Sequence, residues 1–472
     1  MEHMSPRTTS ARPSPSGLAG LTGRWRGRGR SLRKGIGKAE PVMRWSSVAA
    51  VAGVVTGSVA AGTISGLAGL FARTVVTPVK TPAEDLEILA VVQGESGLEI
   101  ILPVNEETTV PGTYSLVFDG GAGVARIGAV SSFDPRDGTV QREVEEVYSG
   151  DLSRAVRGRW AGFIYPDPRT LGYEALDVRI AVENGSAPAW LVPAAGDPAR
   201  RTGTATAHPG PEQGPVAGSP ARVLPGEGIW AIMVHGRGAK RTEGIRAIGS
   251  ARALGMTSLL ISYRNDGDAP AAGDGRYGLG TTEWRDVEAA VAYALEHGAR
   301  EVVLFGWSMG AAVCLQLADR SELASSVAAM VLDGPVINWI DVLAHQARLN
   351  RLPDASGRLG QWLMSNRAGR WATGLAAPVD LKAMNWVARA DQVRVPTLIL
   401  HSEDDDFVPV GPSMDLAAKN PQMVSFVRFT LARHTREWNV DPEKWDRAVR
   451  LWLHAVLTSP RPGLSQLVAA GS

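Results

Sequence analysis

Residues 302–312 contain a G-x-S-x-G pattern between a short apolar strand and a helix rich in small residues. Ser308 lies at the centre of the pattern, and Gly306 and Gly310 flank it. A serine in this context sits on a sharp strand-to-helix turn, because only glycine lets a strand and a helix pack so closely around it. We also expect the N-terminus of the helix to aim the N–H of Met309 at a developing oxyanion. The alternative, a glycine-rich turn with an incidental serine, is disfavoured by the flanking strand and helix.

A nucleophile on such a turn needs an acid and then a histidine, each placed after a later strand. Residues 395–401 form an apolar run, typical of a strand, that leads into three consecutive aspartates at 404–406. Adjacent carboxylates repel one another, so at most one of the three orients a histidine, and the residues alone leave open which one. A second strand at 424–429 leads to His434. His401 also ends a strand, but it precedes the acid and is therefore in the wrong order.

These residues resemble the α/β-hydrolase superfamily, and the resemblance covers roughly residues 225–458. Within the superfamily, the most similar group is the lysophospholipase-like and serine-aminopeptidase-like one. The strand-end pattern H-G-x-x-D-x-x-V-P of the family matches residues 401–409, with Ser402 in place of the glycine. This alignment implies that Asp405 is the catalytic acid, and it leaves Asp404 as the fallback.

The same resemblance gives a role to the sequence HGRG at 235–238, which follows an apolar strand at 229–234. In the family, a turn at this place donates the second N–H of the oxyanion hole. That donor would be the backbone N–H of Arg237 here. We interpret His235 as a residue that holds the turn and not as the catalytic base.

Together these assignments predict a serine hydrolase that cleaves carboxylic esters of small molecules or of lipids, lysophospholipids included. Ser308 would form an acyl-enzyme, His434 would move the proton, and Asp405 would hold the imidazole. We expect no cofactor and no metal, since the histidines are scattered and the lone Cys314 offers no pair at zinc spacing. Two alternatives stay open: a serine peptidase of the aminopeptidase type, and a catalytically silent hydrolase-fold protein that only binds.

The N-terminal part of the chain differs in composition from the rest. Residues 1–44 are rich in Ser, Pro, Gly and Arg, which predicts a disordered basic tail. Residues 45–72 hold no charged side chain, and Arg44 and Arg73 bracket them. A bilayer needs about 20 apolar residues to be crossed, so this run predicts a transmembrane helix. The basic flank predicts a single-pass protein with a cytoplasmic N-terminus and an extracytoplasmic catalytic region.

Two other interpretations of this N-terminal part are a soluble glycine-rich linker and a nucleic-acid-binding arm. The net charge of +1 gives the whole chain no attraction to nucleic acid, so we expect no such partner. The sequence leaves the oligomeric state open.

The remaining chain divides into three segments. Residues 73–195 carry short strand-like runs with turn signals between them, which predicts a β-rich region. Residues 196–222 are heavy in Gly, Pro, Ala and Thr and predict a flexible loop. Residues 223–460 alternate strands and helices, which predicts a doubly wound, mostly parallel sheet of the α/β class. A helical lid is expected as an insert at 335–392, where the resembling family carries one.

Overall fold

A small antiparallel sheet follows the first helix. The computed structural model describes residues 57–94, 97–195, 224–271 and 273–459. The first elements are α1 (Gly57–Val76), β1 (Leu86–Glu87), β2 (Ala90–Gln93), β3 (Leu98–Pro103), β4 (Tyr114–Phe118), β5 (Gly123–Asp134), β6 (Thr139–Ser149) and β7 (Arg157–Ala161). The seven strands pair in the order β1-β7-β4-β5-β6-β3-β2, and each neighbouring pair is antiparallel. The small sheet has an apolar core of its own, which includes Ile100, Leu116 and Ile127.

A larger sheet occupies the C-terminal part of the chain. Its elements, with the helices between them, are β8 (Leu176–Val182), β9 (Gly185–Val192), β10 (Ile229–Val234), α2 (Ile248–Ala253), β11 (Thr257–Ile261), α3 (Trp284–Glu296), β12 (Glu301–Trp307), α4 (Met309–Arg320), β13 (Val327–Asp333), α5 (Trp339–Leu349), α6 (Asp354–Ser365), α7 (Arg370–Thr373), β14 (Thr397–Ser402), α8 (Gly411–Lys419), β15 (Val424–Phe429), α9 (Glu437–Val440) and α10 (Pro442–Thr458). The strand order is β15-β14-β13-β12-β10-β11-β9-β8. Strands β10 to β15 are parallel, as the sequence predicted, and β9 and β8 add an antiparallel edge.

The central strands of the large sheet are mostly apolar, as expected of strands that are covered on both faces. Every residue of β10 is buried. Trp230, Ile232 and Val234 enter one apolar core, and the residues between them enter the core on the opposite face. The strand order reverses between β10 and β12, and in such sheets the crevice at the reversal, outside the carboxyl ends of the strands, is the usual ligand site.

The hairpin of β8 and β9 belongs to the large sheet and not to the small one. The β-rich region predicted at 73–195 includes these residues, and the two sheets divide between β7 and β8. The physical reason is that β11 would otherwise be an unpaired edge, and β9 fills that edge with antiparallel hydrogen bonds. The tail predicted at 1–44 and the loop predicted at 196–222 lie outside the described residues.

Helices α5, α6 and α7 lie between β13 and β14, where the sequence predicted the insert 335–392. We call this segment the insert. The buried face of α6 packs against α1, and α7 contacts the same helix. Whether the insert moves as a lid stays a prediction.

The transmembrane helix predicted at 45–72 is not supported. In the part of the chain that the structure describes, no helix has both the length and the hydrophobicity that membrane crossing requires. The second half of the predicted span is α1, and its buried residues Ala68, Phe71 and Ala72 join an apolar core of the large sheet. These three side chains face protein, whereas Leu70 on the same helix is exposed. Residues 45–56 lie outside the described part, and the predicted localisation stays a prediction.

Candidate active site

Ser308 occupies a strained turn between β12 and α4. Its backbone has φ 51° and ψ −113°, a region that non-glycine residues rarely adopt. A Cβ at Gly306 would lie 2.7 Å from the Cα of Ala311, and a Cβ at Gly310 would overlap the carbonyl oxygen of Val234. Both glycines are therefore required for the close approach of strand and helix that holds the serine.

Three side chains that are distant in sequence meet at this turn. The Oγ of Ser308 lies 2.8 Å from Nε2 of His434. The Nδ1 of the same imidazole lies 2.8 Å from Oδ2 of Asp405. Asp404, the fallback acid, accepts a hydrogen bond from the backbone N–H of Leu431 instead. The arrangement is thus a serine, a base within hydrogen-bond reach of it, and a carboxylate behind the base.

Asp405 is buried and well supplied with hydrogen-bond donors. Its Oδ1 accepts from the backbone N–H groups of Phe407 (2.9 Å) and Val408 (2.8 Å). Burial on its own would raise the pKa of Asp405. The charge of the neighbouring His434 imidazole and the side-chain hydrogen bonds from His401 and His434 outweigh burial and hold the pKa well below its usual range. The carboxylate is therefore ionised across the physiological pH range.

The His434 side chain retains 19% exposure. Burial lowers the pKa of His434, but the carboxylate of Asp405 raises it by more, so the net pKa is raised from its ordinary value. The ring of Phe407 stacks on the imidazole with centroids 5.0 Å apart. The imidazole of His434 is thus held by the carboxylate of Asp405 and by packing against the ring of Phe407.

A second imidazole, that of His401, contacts the acid. Its Nε2 lies 3.1 Å from Oδ2 of Asp405 and 3.2 Å from the carbonyl oxygen of Val408. Two acceptors at Nε2 imply that this nitrogen carries the proton, and Nδ1 faces the hydroxyl of Ser413 at 2.8 Å. The place of His401 in the sequence, before the acid, excludes it as the base. In the structure it is a donor to the acid.

The turn at 235–238 adjoins Ser308 from the neighbouring strand. A Cβ at Gly236 would lie 3.2 Å from the Cβ of Ser308. The N–H of Gly236 is bound by the carboxylate of Glu243 at 2.7 Å, so it is occupied. The next N–H, that of Arg237, stays the predicted oxyanion donor. The other predicted donor, Met309, begins α4, where helix N–H groups have no intrahelical acceptor.

His235 holds this turn, as the sequence analysis interpreted it. Its Nε2 lies 3.2 Å from Asp266, and its ring stacks on Tyr263 with centroids 4.2 Å apart. The hydroxyl of Tyr263 in turn donates to the backbone carbonyl of His235 at 2.9 Å. These buried contacts hold the turn, and they engage the imidazole of His235, which therefore does not act as the base.

The side chain of Arg237 connects the turn to α1. Its guanidinium donates to the carbonyl oxygens of Thr74 (2.7 Å) and Val75 (2.8 Å), at the C-terminal end of the helix. A cation suits that position, because the helix dipole is negative at its C-terminus. The ring of Tyr277 lies 5.6 Å from the guanidinium carbon. The helix predicted to lie in a membrane is therefore bound to the turn beside the serine.

The insert holds the loop that carries the acid. His345 and Gln346 lie on α5. His345 bonds to the carbonyl oxygen of Asp406 (2.9 Å), and Gln346 donates to that of Phe407 (2.7 Å). Asp406 and Phe407 are the acceptors. These two residues follow Asp405 directly. The position of the acid thus depends in part on where α5 lies.

Two further carboxyls are buried beside the site. Asp333 ends β13 and its backbone oxygen accepts from the N–H of Ser308 (3.0 Å), while Glu437 follows His434 by three residues. Oδ1 of Asp333 and Oε2 of Glu437 are buried with no hydrogen-bond donor among the described residues, and burial raises the pKa of both carboxyls, so we expect the two to share a proton. Burial and the adjacent Asp333 raise the pKa of Glu437 well above its ordinary value.

Several buried polar residues around the site were not predicted from the sequence. Glu243, Arg246 and Asn439 lie in helical turns without a motif, and no spacing or composition signal marks them. Within the described ranges, no group of three or more His, Cys, Asp or Glu side chains is arranged to hold a metal ion.

Two family models match parts of this chain. A model described as an alpha/beta hydrolase family matches residues 231–459, and one described as a domain of unknown function, DUF8805, matches residues 87–161. No curated protein matches the chain.

One similar solved structure is that of an esterase from Pyrococcus furiosus, which is 18% identical in sequence. The match covers 62% of this chain and 94% of that chain, with a TM-score of 0.43. A thermophilic esterase from Thermogutta terrifontis has 17% identity, covers 60% of this chain and 100% of that chain, and has a TM-score of 0.39. At these values neither supports a conclusion about the substrate. The family match confirms the predicted superfamily for residues 231–459: this part of the chain belongs to the α/β-hydrolase superfamily.

Proposed function

We propose that this protein is a serine hydrolase that cleaves carboxylic esters through an acyl-enzyme on Ser308. The observation that carries the proposal is the continuous hydrogen-bonded path from the Ser308 hydroxyl through His434 to Asp405, with 2.8 Å at each step. A protein that only binds a partner has no need for a strained serine, a base with a raised pKa and an ionised acid in one line.

In the first half of the reaction, His434 Nε2 accepts the proton of Ser308 while Oγ attacks the ester carbonyl carbon. Asp405 holds the proton on Nδ1 and stabilises the imidazolium that forms. The N–H groups of Met309 and Arg237 bind the oxyanion, and loss of one such donor typically costs about 2.7–4 kcal/mol of barrier. The imidazolium then protonates the leaving alcohol, and the acyl group stays on Ser308.

In the second half, a water molecule takes the place of the alcohol. His434 accepts a proton from the water, whose oxygen attacks the acyl carbon. Collapse of the second tetrahedral intermediate releases the carboxylic acid and returns the proton to Ser308. The side chains that this route requires are those of Ser308, His434 and Asp405.

The proposed substrate is an ester with an apolar acyl chain, of which a lysophospholipid is one example. The stacked ring of Phe407 gives the base an apolar neighbour on the side of the insert. Peptidase activity toward aminoacyl amides is the competing enzyme class.

The decisive experiment combines covalent labelling with a substrate panel. We expect a fluorophosphonate probe to label the wild type and not Ser308→Ala. Ser250→Ala is the matched control, since Ser250 is a buried serine that bonds to Asp446 at 2.8 Å, on α2 and α10. p-Nitrophenyl esters of increasing chain length, a lysophospholipid and aminoacyl amides are then compared. Folded wild type that neither labels nor hydrolyses any ester would refute the proposal, and faster turnover of amides than of esters would favour the peptidase.

A further inference from the structure

Asn439 joins the small sheet to the segment that carries the catalytic histidine. It lies on α9, five residues after His434, and is 2% exposed. Its Nδ2 donates to the carbonyl oxygens of Thr113 (2.7 Å) and Gly162 (2.9 Å). Thr113 directly precedes β4, and Gly162 directly follows β7. One buried amide thus binds two neighbouring strands of the small sheet.

The other side of the same amide faces Arg246. The Oδ1 of Asn439 accepts from Nη1 of Arg246 at 2.9 Å, and the same nitrogen donates to the carbonyl oxygen of Thr435 at 2.9 Å. Thr435 follows His434 directly and has a positive φ of 54°. A non-glycine residue in that conformation persists when its surroundings hold it. Arg246 supplies that restraint, and its side chain is 1% exposed.

The network continues to the turn on the other side of Ser308. The guanidinium of Arg246 lies 3.5 Å from Oε1 of Glu243, and Oε2 of Glu243 binds the N–H of Gly236 at 2.7 Å. The guanidinium also lies over the ring of Trp307, the residue before the serine, at 5.4 Å. A single arginine therefore contacts the histidine loop and the strand before the nucleophile directly, and it reaches the oxyanion turn through Glu243.

We infer that the small sheet is a positioning element for the active site, which sets the place of His434 and of the oxyanion turn through Asn439, Arg246 and Glu243. The inference rests on the proposed function and gives residues 86–161 a task in it. These three are positioning residues, because they reach the reacting atoms only through others. A displacement of about 1 Å at a catalytic group can cost about 10²-fold in rate.

The test compares two asparagines that make the same kind of contact. Asn439→Ala removes an amide that donates to two backbone carbonyls. Asn420→Ala is the matched control, because the Nδ2 of Asn420 also donates to two carbonyls, those of Ala390 (2.7 Å) and Val393 (2.9 Å), on the far side of α8. Ester hydrolysis and the rate of fluorophosphonate labelling are measured on the full chain, at a temperature where thermal melting shows each variant to be folded.

We expect Asn439→Ala to lower kcat and the labelling rate by about 10- to 100-fold with little change in KM, because the histidine moves while the substrate contacts stay. Asn420→Ala should keep both rates. Equal behaviour of the two variants, with a wild type that labels and hydrolyses esters, would overturn this inference and leave the proposed function intact. A wild type without either activity would instead contradict the proposed function.

If Asn439→Ala does not fold, Arg246→Lys tests the same positioning role. The lysine keeps the charge, but its single ammonium cannot span Thr435, Asn439 and Glu243 together. We expect the same loss of kcat at unchanged KM. A folded Arg246→Lys variant with wild-type kcat would overturn the inference.

Discussion

The isosteric change Asp405→Asn tests the assignment of the acid. The Oδ1 of Asp405 accepts two backbone N–H groups, from Phe407 and Val408. The amide oxygen of the asparagine will keep that place, because backbone N–H groups can only donate, whereas the imidazoles of His434 and His401, which face the other position, can change tautomer. The NH2 group then takes the place of Oδ2, which lies 2.8 Å from Nδ1 of His434.

This reversal changes the tautomer of the base. A donor at that position requires His434 Nδ1 to accept, so the imidazole proton moves to Nε2. Nε2 is the atom 2.8 Å from the Ser308 hydroxyl, and with a proton on it no base is left for the serine. An acid-to-amide change of this kind lowers kcat by about 10⁴-fold, or about 5 kcal/mol of barrier.

The assay is kcat for a p-nitrophenyl ester, with the labelling rate as a second measure. Asp404→Asn is the control, because Asp404 is exposed and its oxygen accepts from Leu431, which an asparagine can also do. We expect the control to stay close to wild type. If Asp405→Asn keeps most of its kcat while Asp404→Asn loses it, the assigned acid is wrong and the tautomer argument fails.

Three further outcomes follow from the same geometry. In a pH–rate profile, the acid limb of kcat/KM should lie above about pH 6.5, because His434 must be neutral to act as the base and Asp405 raises its pKa. An acid limb at or below that pH would contradict the pairing of His434 with Asp405. The pKa of Glu437 is raised in the folded state, so wild-type stability should fall as the pH rises through it, and Glu437→Gln should flatten that fall in thermal melts. Parallel curves for the two proteins would exclude the shared proton with Asp333. Arg237→Ala keeps the backbone N–H but removes the side chain that binds the end of α1. Hydrogen bonds to charged groups contribute about 1.5–3 kcal/mol, so denaturant titration should show a loss of about 3 kcal/mol in the free energy of unfolding. An unchanged free energy of unfolding would mean that the guanidinium does not hold the helix.

The large sheet was accessible from the sequence because its strands are buried on both faces. Such strands appear as short continuous apolar runs, and the one at 302–307 directly precedes the serine. The site followed from the same runs, since functional groups of this fold stand after strand ends. The three consecutive aspartates limited that reasoning, because periodicity says nothing about which carboxylate faces a histidine.

The role of α1 could not be obtained in this way. An uncharged run of alanine, glycine and valine has the same composition whether it faces lipid or the apolar side of another helix. The feature that separates the two is Arg237, more than 150 residues later, whose guanidinium binds the end of α1. Likewise, the contact of Asn439 with Thr113 joins residues 326 positions apart and leaves no local pattern.

The hydrogen bonds from α5 to the carbonyl oxygens of Asp406 and Phe407 have a mechanical consequence. If α5 moves outward, both bonds break, and the loop that carries Asp405 loses two of the contacts that hold it. Catalysis would then be slower while α5 is displaced and would recover when α5 returns to its place.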